Sequence, residues 1–261
     1  MEGRLELDAS FARELLGWRT LRNGNLVPNS ADSSSLNSVR IAAAILDDLG
    51  VQRDVVSGVQ DATTGRPLEL AVASDLQSEL RRLDPGRLFS VSKEPRLITD
   101  FLQYEHLRRL DQLAAQNEEL RITLGTDYLI RPDIVVALPG RTSDEHPFLH
   151  AVVSCKWTIR SDRVQNIRHE YNQLIKHRRE RLPHLVTVTA EPLPTRLTSI
   201  ARGTGEVDAT YHIAFYAMER AMSRLRVTGG ISSEQLAAWR EVVDLGRVRP
   251  YSELAETIAR W

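Results

Sequence analysis

Apolar residues recur at helical spacing in the first half of the chain and predict three helices. The clearest covers residues 67–83, where proline stands in the first turn and apolar residues follow at every third or fourth position. An earlier helix is predicted over residues 38–49, because Gly50 then provides a typical helix stop. A third is predicted over residues 99–117, and residues 51–65 have the composition of a loop.

The second half of the chain alternates short β-branched runs with one strongly helical segment. Residues 134–138 and 148–157 predict two strands, and residues 185–189 predict a third. Residues 163–181 predict a helix between the last two, so we expect a βαβ unit whose strands are parallel. A fourth strand is predicted over residues 209–215.

The order of these elements predicts an α/β fold, in which a small mixed central sheet is flanked by helices. Two C-terminal helices, over residues 233–245 and 252–261, complete the pattern. We expect one domain over residues 1–261, with a mainly helical N-terminal part (about 1–120) and a sheet core (about 121–220).

Composition narrows the class of protein. Hydrophobic residues make up 42% of the 261 residues and charged residues 26%, as in an ordinary globular protein with its own core. The longest apolar runs are too short to span a bilayer and the first residues show no signal peptide, so no membrane partner is expected. Cys155 is the single cysteine, so no disulfide forms within the chain, and a cytoplasmic location is expected.

Charge is distributed unevenly along the chain. The whole sequence has a formal net charge of −1, which gives no reason to expect a nucleic-acid partner. Residues 156–181, however, contain eight basic and three acidic residues, a local charge of +5. Such a run is compatible either with a solvated basic helix or with a surface that binds phosphate groups.

Candidate catalytic residues lie in and around this basic run. Asp133 follows a proline at the start of one predicted strand, and Ser154 and Lys156 share a face at the end of the next. Glu170 follows on the predicted helix, and Glu69 lies in the first turn of an earlier one. Carboxylates bind hard cations such as Mg²⁺, and a nearby lysine adds positive charge at a phosphate or orients an attacking water. The set therefore predicts metal-dependent phosphodiester hydrolysis.

Each of these residues alone has a simpler interpretation. A Pro-Asp pair is usually a turn, and a lysine at a strand end is usually solvated. Glu170 suits a surface ion pair with a basic residue of its own helix, and Glu69 suits the dipole of its helix. The order and spacing of the whole set make the catalytic interpretation the more specific one.

In this order the residues resemble the active site of the PD-(D/E)XK nuclease fold. Ser154 stands where that fold normally has an acid, and Glu170 supplies the missing carboxylate, as in the restriction enzymes that cut around a CCGG core. Residues 154–163, 181–184 and 189–192 further resemble restriction endonucleases of the NgoMIV type. The resemblance covers most of the chain but not roughly the last forty residues.

Arg160, Asp162 and Arg163 form the segment expected to read bases. Arginine donates two hydrogen bonds to guanine and aspartate accepts one from cytosine, so the cluster suits adjacent G·C pairs. Asp162 also suits the N-cap of a helix that begins at Arg163. By the resemblance, Arg196 and Asp32 would contact the outer base pair, although the serine-rich loop around Asp32 is typical of a turn.

The resemblance implies Mg²⁺-dependent hydrolysis of double-stranded DNA at a palindrome with a central CCGG, and GCCGGC is the expected site. Lys156 would serve the attacking water, with Glu69 and Ser154 in support. The metal would be held by Asp133, Glu170 and the carbonyl of Cys155.

A homodimer would match a palindrome, and the resemblance further suggests a homotetramer that engages two DNA copies. Two alternatives remain open. One is a repair-type nuclease of the same fold, which would cut without sequence preference. The other is a DNA-binding protein that kept the fold and lost catalysis.

Overall fold

The computed structural model describes residues 7–53, 65–94, 96–125, 128–203 and 205–260. Within them the α-helices are α1 (Ala12–Leu15), α2 (Leu36–Asp48), α3 (Arg66–Leu83), α4 (Glu105–Ala115), α5 (Glu118–Leu124), α6 (Ser161–His177), α7 (Pro194–Ala201), α8 (Phe215–Val227), α9 (Ser233–Asp244) and α10 (Leu254–Arg260). The strands are β1 (Trp18–Thr20), β2 (Leu26–Pro28), β3 (Ser90–Ser92), β4 (Ile134–Leu138), β5 (Phe148–Lys156), β6 (His184–Thr189), β7 (Ala209–His212) and β8 (Val248–Pro250). Short 3₁₀ turns cover Ile98–Asp100, Leu102–Tyr104 and Tyr251–Glu253.

The central sheet is mixed, as the sequence predicts. Its strand order is β3-β4-β5-β6-β7-β8, with β3, β4 and β5 antiparallel and β5 to β8 parallel. The predicted βαβ unit is confirmed, because α6 joins the parallel strands β5 and β6. Nearly every residue of β4, β5 and β6 is buried, which is typical of a sheet covered on both faces.

The two edges of the sheet come from outside residues 121–220. β3 pairs with β4 from the N-terminal side of the chain, and β8 pairs with β7 from the C-terminal side. A separate hairpin, β1–β2, lies in the N-terminal part. A single hydrophobic cluster includes residues from Ala9 to Ile258, so both parts of the chain contribute to one core.

Two of the three helices predicted in the first half are confirmed, and the short helices α1 and α5 are not predicted. α2 and α3 lie where expected, and Ser35 caps α2 by accepting a hydrogen bond from the Ser38 N–H. The single helix predicted over residues 99–117 is confirmed only over α4, and its first six residues are wrong. Two 3₁₀ turns precede α4, because Phe101 is extended and the Leu102 N–H bonds to Pro147 rather than within a helix.

The second half differs from the prediction mainly at boundaries. α6 begins at Ser161 and ends at His177, where Arg178 turns extended and the Arg179 N–H donates to the Gln103 carbonyl. The predicted strand 209–215 stops at His212, and α7, α8 and β8 are not predicted at all. Residues 54–64 of the predicted loop and residue 261 of the last predicted helix lie outside the described residues. No helix in the described ranges has the length and apolar character needed to cross a membrane.

Candidate active site

Asp133 lies immediately before β4 and receives three hydrogen bonds on one carboxylate oxygen. Its Oδ2 accepts from Lys156 Nζ at 2.6 Å, from the Cys155 N–H at 2.9 Å and from Ser154 Oγ at 3.1 Å. The antiparallel register of β4 and β5 pairs Ile134 with Val153, which brings Asp133 beside the end of β5. The structure therefore joins the acid and the amine that the sequence singled out.

Strand alternation accounts for the donors around Asp133. Ser154 and Lys156 extend from one face of β5 to the same oxygen, as predicted, whereas Cys155 contributes its backbone and keeps its side chain buried. Burial raises the pKa of the Cys155 thiol well above its ordinary value. Asp133 Oδ1 accepts no hydrogen bond from the residues that the structure describes.

Tyr171 fixes α6, and with it Glu170, on the sheet. The buried Tyr171 hydroxyl accepts from the Ser154 N–H at 3.1 Å and donates to the Val186 carbonyl at 2.6 Å. One hydroxyl therefore connects α6 with both β5 and β6. Glu170 is the neighbour of Tyr171 in the chain, so its position relative to β5 depends on this contact.

Glu170 is half-buried and lies within electrostatic range of the Asp133–Lys156 pair. Burial raises the pKa of Glu170, the Lys156 charge opposes this, and the Asp133 charge adds to it. In the described part of the chain, no ion pair within 4.0 Å joins Glu170 to a basic residue of its helix. The surface ion-pair interpretation is therefore not what the structure shows.

Glu69 approaches the same region from α3. A Cβ added at Gly65, which precedes α3, would lie 3.4 Å from Glu69 Oε1 and 3.6 Å from the Cys155 carbonyl oxygen. Burial raises the pKa of Glu69 and the Asp133 charge adds to this, whereas the Lys156 charge opposes it. Gly65 therefore lies beside both the Glu69 carboxylate and the Cys155 carbonyl.

The donor set around Lys156 consists of oxygens. It comprises three carboxylates and the Cys155 carbonyl, the ligand type that Mg²⁺ prefers. Among the described residues, however, no three His, Cys, Asp or Glu side chains already form a metal-binding group. The composition of the donors fits a hard cation. Since no described residue donates a hydrogen bond to Asp133 Oδ1, this is the oxygen of Asp133 that could bind one.

The expected base-reading segment forms the start of α6. Arg160 is the N-cap residue and Asp162 lies in the first turn, and both are exposed. The helix begins two residues earlier than predicted, so the N-cap position suggested for Asp162 is wrong. Arg163 is half-buried, and its Nη1 donates to the Thr158 carbonyl at 2.9 Å and contacts the Thr158 hydroxyl at 3.3 Å.

Arg196 and Asp32 form an ion pair although 164 residues separate them in the chain. Arg196 lies on α7, and Asp32 precedes α2, where the Ser38 hydroxyl accepts from the Asp32 N–H. Hydrogen bonds from Ser34, and then from Arg196, lower the pKa of Asp32 to about 2. The structure therefore places these two residues together as one charged unit.

Two further residues near the site have contacts that sequence reasoning did not find. Trp157 donates from Nε1 to the Asn29 carbonyl at 3.2 Å and so contacts the loop that carries Asp32. Glu191 follows β6 and is fully buried, and its carboxylate accepts the Ile159 N–H at 2.7 Å. An acid two residues after the end of a buried strand was the available signal for Glu191.

Comparison with known proteins identifies the family. The sequence model of the NgoMIV restriction enzyme family matches residues 13–145 and 137–255, so the expectation that the resemblance leaves out roughly the last forty residues is wrong. The type II restriction enzyme NgoMIV of Neisseria gonorrhoeae is 39% identical over 246 residues, covering 82% of this chain and 86% of that protein. These matches include every catalytic and base-reading candidate described above. The chain therefore belongs to the NgoMIV family of type II restriction endonucleases.

Proposed function

We propose that this restriction endonuclease hydrolyses both strands of double-stranded DNA at a palindrome with a central CCGG, with GCCGGC as its full site. The observation that carries the catalytic part is the convergence of Lys156, Ser154 and the Cys155 N–H on Asp133. It fixes an amine and a carboxylate at the ends of two neighbouring inner strands of the sheet, and a site built on such elements keeps its geometry.

We propose Mg²⁺ as the cofactor of this site. Asp133 through Oδ1, Glu170 and the Cys155 carbonyl would hold the ion, since they offer only hard oxygen donors. Glu69, whose carboxylate lies beside Gly65 and within electrostatic range of Asp133 and Lys156, would support the site. When bound, a divalent ion supplies positive charge that activates water and stabilises the negative charge developing at the phosphate.

Lys156 would hold the attacking water and place positive charge next to the scissile phosphate. Its ammonium is held at 2.6 Å from Asp133 Oδ2, so it is positioned before DNA binds. Ser154 and the Cys155 N–H hold the Asp133 carboxylate in turn, so that its second oxygen keeps one orientation. Ser154 is in this way a positioning residue rather than a ligand.

Sequence reading is assigned to two groups of residues. Arg160, Asp162 and Arg163 at the start of α6 would read the central CCGG, since arginine pairs with guanine and aspartate accepts from cytosine. Arg196 and Asp32 would read the outer base pair. Arg163 and Glu170 are seven residues apart on α6, about 10 Å along its axis, so one helix links reading and metal binding.

The assembly proposed for this reaction follows from the symmetry of the site. A homodimer presents the same reading group to each half of a palindrome. Association of two such dimers into a homotetramer would allow two DNA copies to be bound together. The rate at which a plasmid is cut tests catalysis whichever of these assemblies forms.

The experiment that tests the catalytic proposal compares Lys156→Ala and Asp133→Ala with the natural protein. A plasmid carrying GCCGGC is digested with Mg²⁺, and both variants are expected to cut at least about 100-fold more slowly, because each removes charge stabilisation at the phosphate. Lys176→Ala, an exposed lysine on the same helix as Glu170, is the control and should cut normally.

Three outcomes would contradict the proposal. Full cleavage by both variants would exclude the assigned mechanism. Cleavage of plasmids that lack the site would favour the repair-type nuclease. Binding without any cleavage by the natural protein would favour a DNA-binding protein that has lost catalysis.

A further inference from the structure

Glu191 is a buried acid that catalysis does not use. Its side chain is fully buried, its Oε2 accepts the Ile159 N–H at 2.7 Å, and its Oε1 accepts the Leu193 N–H at 3.0 Å. Burial raises the pKa of Glu191 to about 7, against the opposing effect of these two N–H donors and of Arg196. A carboxylate buried at such a cost calls for an explanation beyond packing.

The two N–H groups belong to different parts of the reading surface. Ile159 immediately precedes Arg160, so its N–H fixes the point where the inner reading segment begins. Leu193 is the N-cap residue of α7, the helix that carries Arg196. One carboxylate therefore connects the start of α6 with the start of α7.

Glu191 also contacts the outer reading group directly. Its Oε2 lies 3.8 Å from Arg196 Nη1, while the other terminal nitrogen of Arg196 pairs with Asp32. The guanidinium is thus held between a buried acid and a half-exposed one. Because Glu191 is inaccessible, it acts on DNA only through the residues that it holds.

Glu191 itself is held rigidly by β6 and β7. Its N–H donates to Thr189 Oγ1 at 3.1 Å, and its carbonyl lies 3.1 Å from His212 Nε2. The Ala214 N–H donates to His212 Nδ1, so Nε2 must carry the proton and donate to Glu191. The backbone of Glu191 is therefore fixed to the sheet at both ends of the residue.

We propose that Glu191 is a positioning residue for sequence recognition. It fixes the position of the inner readers (Arg160, Asp162 and Arg163) relative to the outer readers (Arg196 and Asp32). The inference rests on the proposed function, since it requires those residues to contact bases. Hydrogen bonds weaken steeply when their angles are poor, so readers on two separate helices can match neighbouring base pairs only if their spacing is fixed.

Glu191→Gln tests this inference. The amide has nearly the shape of the carboxylate, but its NH₂ group cannot accept a hydrogen bond, so either the Ile159 or the Leu193 N–H loses its acceptor. Cleavage rates are measured on GCCGGC and on ACCGGT, which differs only in the outer base pair. The ratio of the two rates is expected to fall at least about tenfold, because Arg196 loses its buried partner.

Glu241→Gln is the matched control. Glu241 pairs with Arg202 at the other end of α7 and touches neither group of readers. Its substitution removes an acid from the same helix neighbourhood and should leave the rate ratio unchanged. A merely stabilising role for Glu191 would lower the melting temperature without changing the rate ratio at temperatures where the protein is folded.

Glu191→Asp provides a second variant that keeps the charge. Its shorter side chain is not expected to reach both N–H groups, so the rate ratio should again fall. An unchanged ratio in a folded Gln or Asp variant would overturn the inference, as would an equal loss in Glu241→Gln. Failure of both variants to fold would assign Glu191 to stability alone and would also overturn it. If the natural protein itself does not prefer GCCGGC to ACCGGT, the proposed function fails instead.

Discussion

At the residue scale, the three residues proposed as inner readers differ in how they are held. Arg160 and Asp162 are exposed and make no hydrogen bond to another described side chain, whereas Arg163 is fixed to Thr158. Exposed side chains contribute little to folding, and their removal should therefore affect DNA recognition without affecting stability. Arg160 is the most informative of the three for this reason.

Arg160→Ala is expected to lose about 1–3 kcal/mol of discrimination for each base contact removed. The measurement is the ratio of cleavage rates on GCCGGC and on a site with one central base pair changed. Arg226→Ala, an exposed arginine on α8, is the control and should keep the natural ratio. A natural ratio in Arg160→Ala as well would show that this arginine does not read bases.

His212 makes a separate prediction about pH. Burial lowers the pKa of His212 to about 4, from an ordinary value of 6.5. Because the unfolded chain binds the proton first, the stability that neutral His212 contributes is present above pH 6.5 and is lost as pH falls toward 4. At pH 5 this loss amounts to about 2 kcal/mol relative to pH 7.5.

Glu191 has the opposite effect on the pH dependence of stability over part of the same pH range. Its folded pKa of about 7 lies above the ordinary 4.5, so its contribution to stability is present at low pH and is lost as pH rises through 7. The natural protein therefore has a flatter pH dependence than either group alone. Urea unfolding at pH 7.5 and pH 5 should show His212→Asn gaining stability relative to the natural protein at the lower pH. A difference that does not change with pH would contradict the assignment.

At the scale of elements, α6 is the helix on which the site depends, and Tyr171 attaches it to two strands of the sheet. Tyr171→Phe removes one hydroxyl that satisfies both the Ser154 N–H and the Val186 carbonyl. We expect it to lower the free energy of unfolding by about 2–3 kcal/mol, because buried polar groups are left without a partner. Cleavage should also slow, because Glu170 is the neighbour of Tyr171 in the chain and would lose its fixed position.

Tyr104→Phe is the matched control for that prediction. The Tyr104 hydroxyl is also buried but makes one hydrogen bond, to the Leu174 carbonyl of α6. It should cost about 1 kcal/mol and leave cleavage nearly unchanged. Urea unfolding measures both variants, and equal losses would show that Tyr171 has no special part in docking α6.

Elements were predictable where a local pattern decides them. α3 has proline in its first turn and one apolar face, and β4 is a β-branched run that ends before a proline. The segment before α4 failed because tertiary contacts outweigh its pattern. Gln103 pairs its side chain with both backbone groups of Leu149, and this contact holds the chain out of an α-helix.

The site was predictable to a similar extent. Asp133, Ser154 and Lys156 follow from strand alternation, because the strands that carry them are neighbours. The pairing of Asp32 with Arg196 across the whole chain is not visible in any local pattern and was suggested only by the family resemblance. Three-residue strands such as β3 and β8 are too short to show a period.

At the scale of the whole molecule, net charge is a poor guide to the partner. The chain carries −1 overall, yet residues 156–181 carry +5. DNA is attracted by the local field of the surface that faces it, so acidic residues elsewhere do not prevent binding. A protein with this distribution is expected to approach DNA in one orientation, with α6 foremost.

The proposed homotetramer predicts that the cleavage rate depends on the number of GCCGGC sites in the plasmid. A plasmid with two GCCGGC sites should be cut several-fold faster than one with a single site, because the second copy is held at a high effective concentration once the first is bound. The comparison is made at equal concentrations of sites. Equal rates would favour a homodimer that acts on each site alone.

Four consecutive residues at the C-terminal end of β5 each contact a different part of the protein. The contacts are Lys156 with Asp133, Trp157 with Asn29, Thr158 with Arg163 and Ile159 with Glu191. A shift in this stretch would displace Lys156 together with both proposed groups of readers, through Arg163 and through Glu191. Substitutions within residues 156–159 are therefore a poor way to engineer a new target sequence. Exchanging exposed side chains such as Arg160 leaves the four contacts in place.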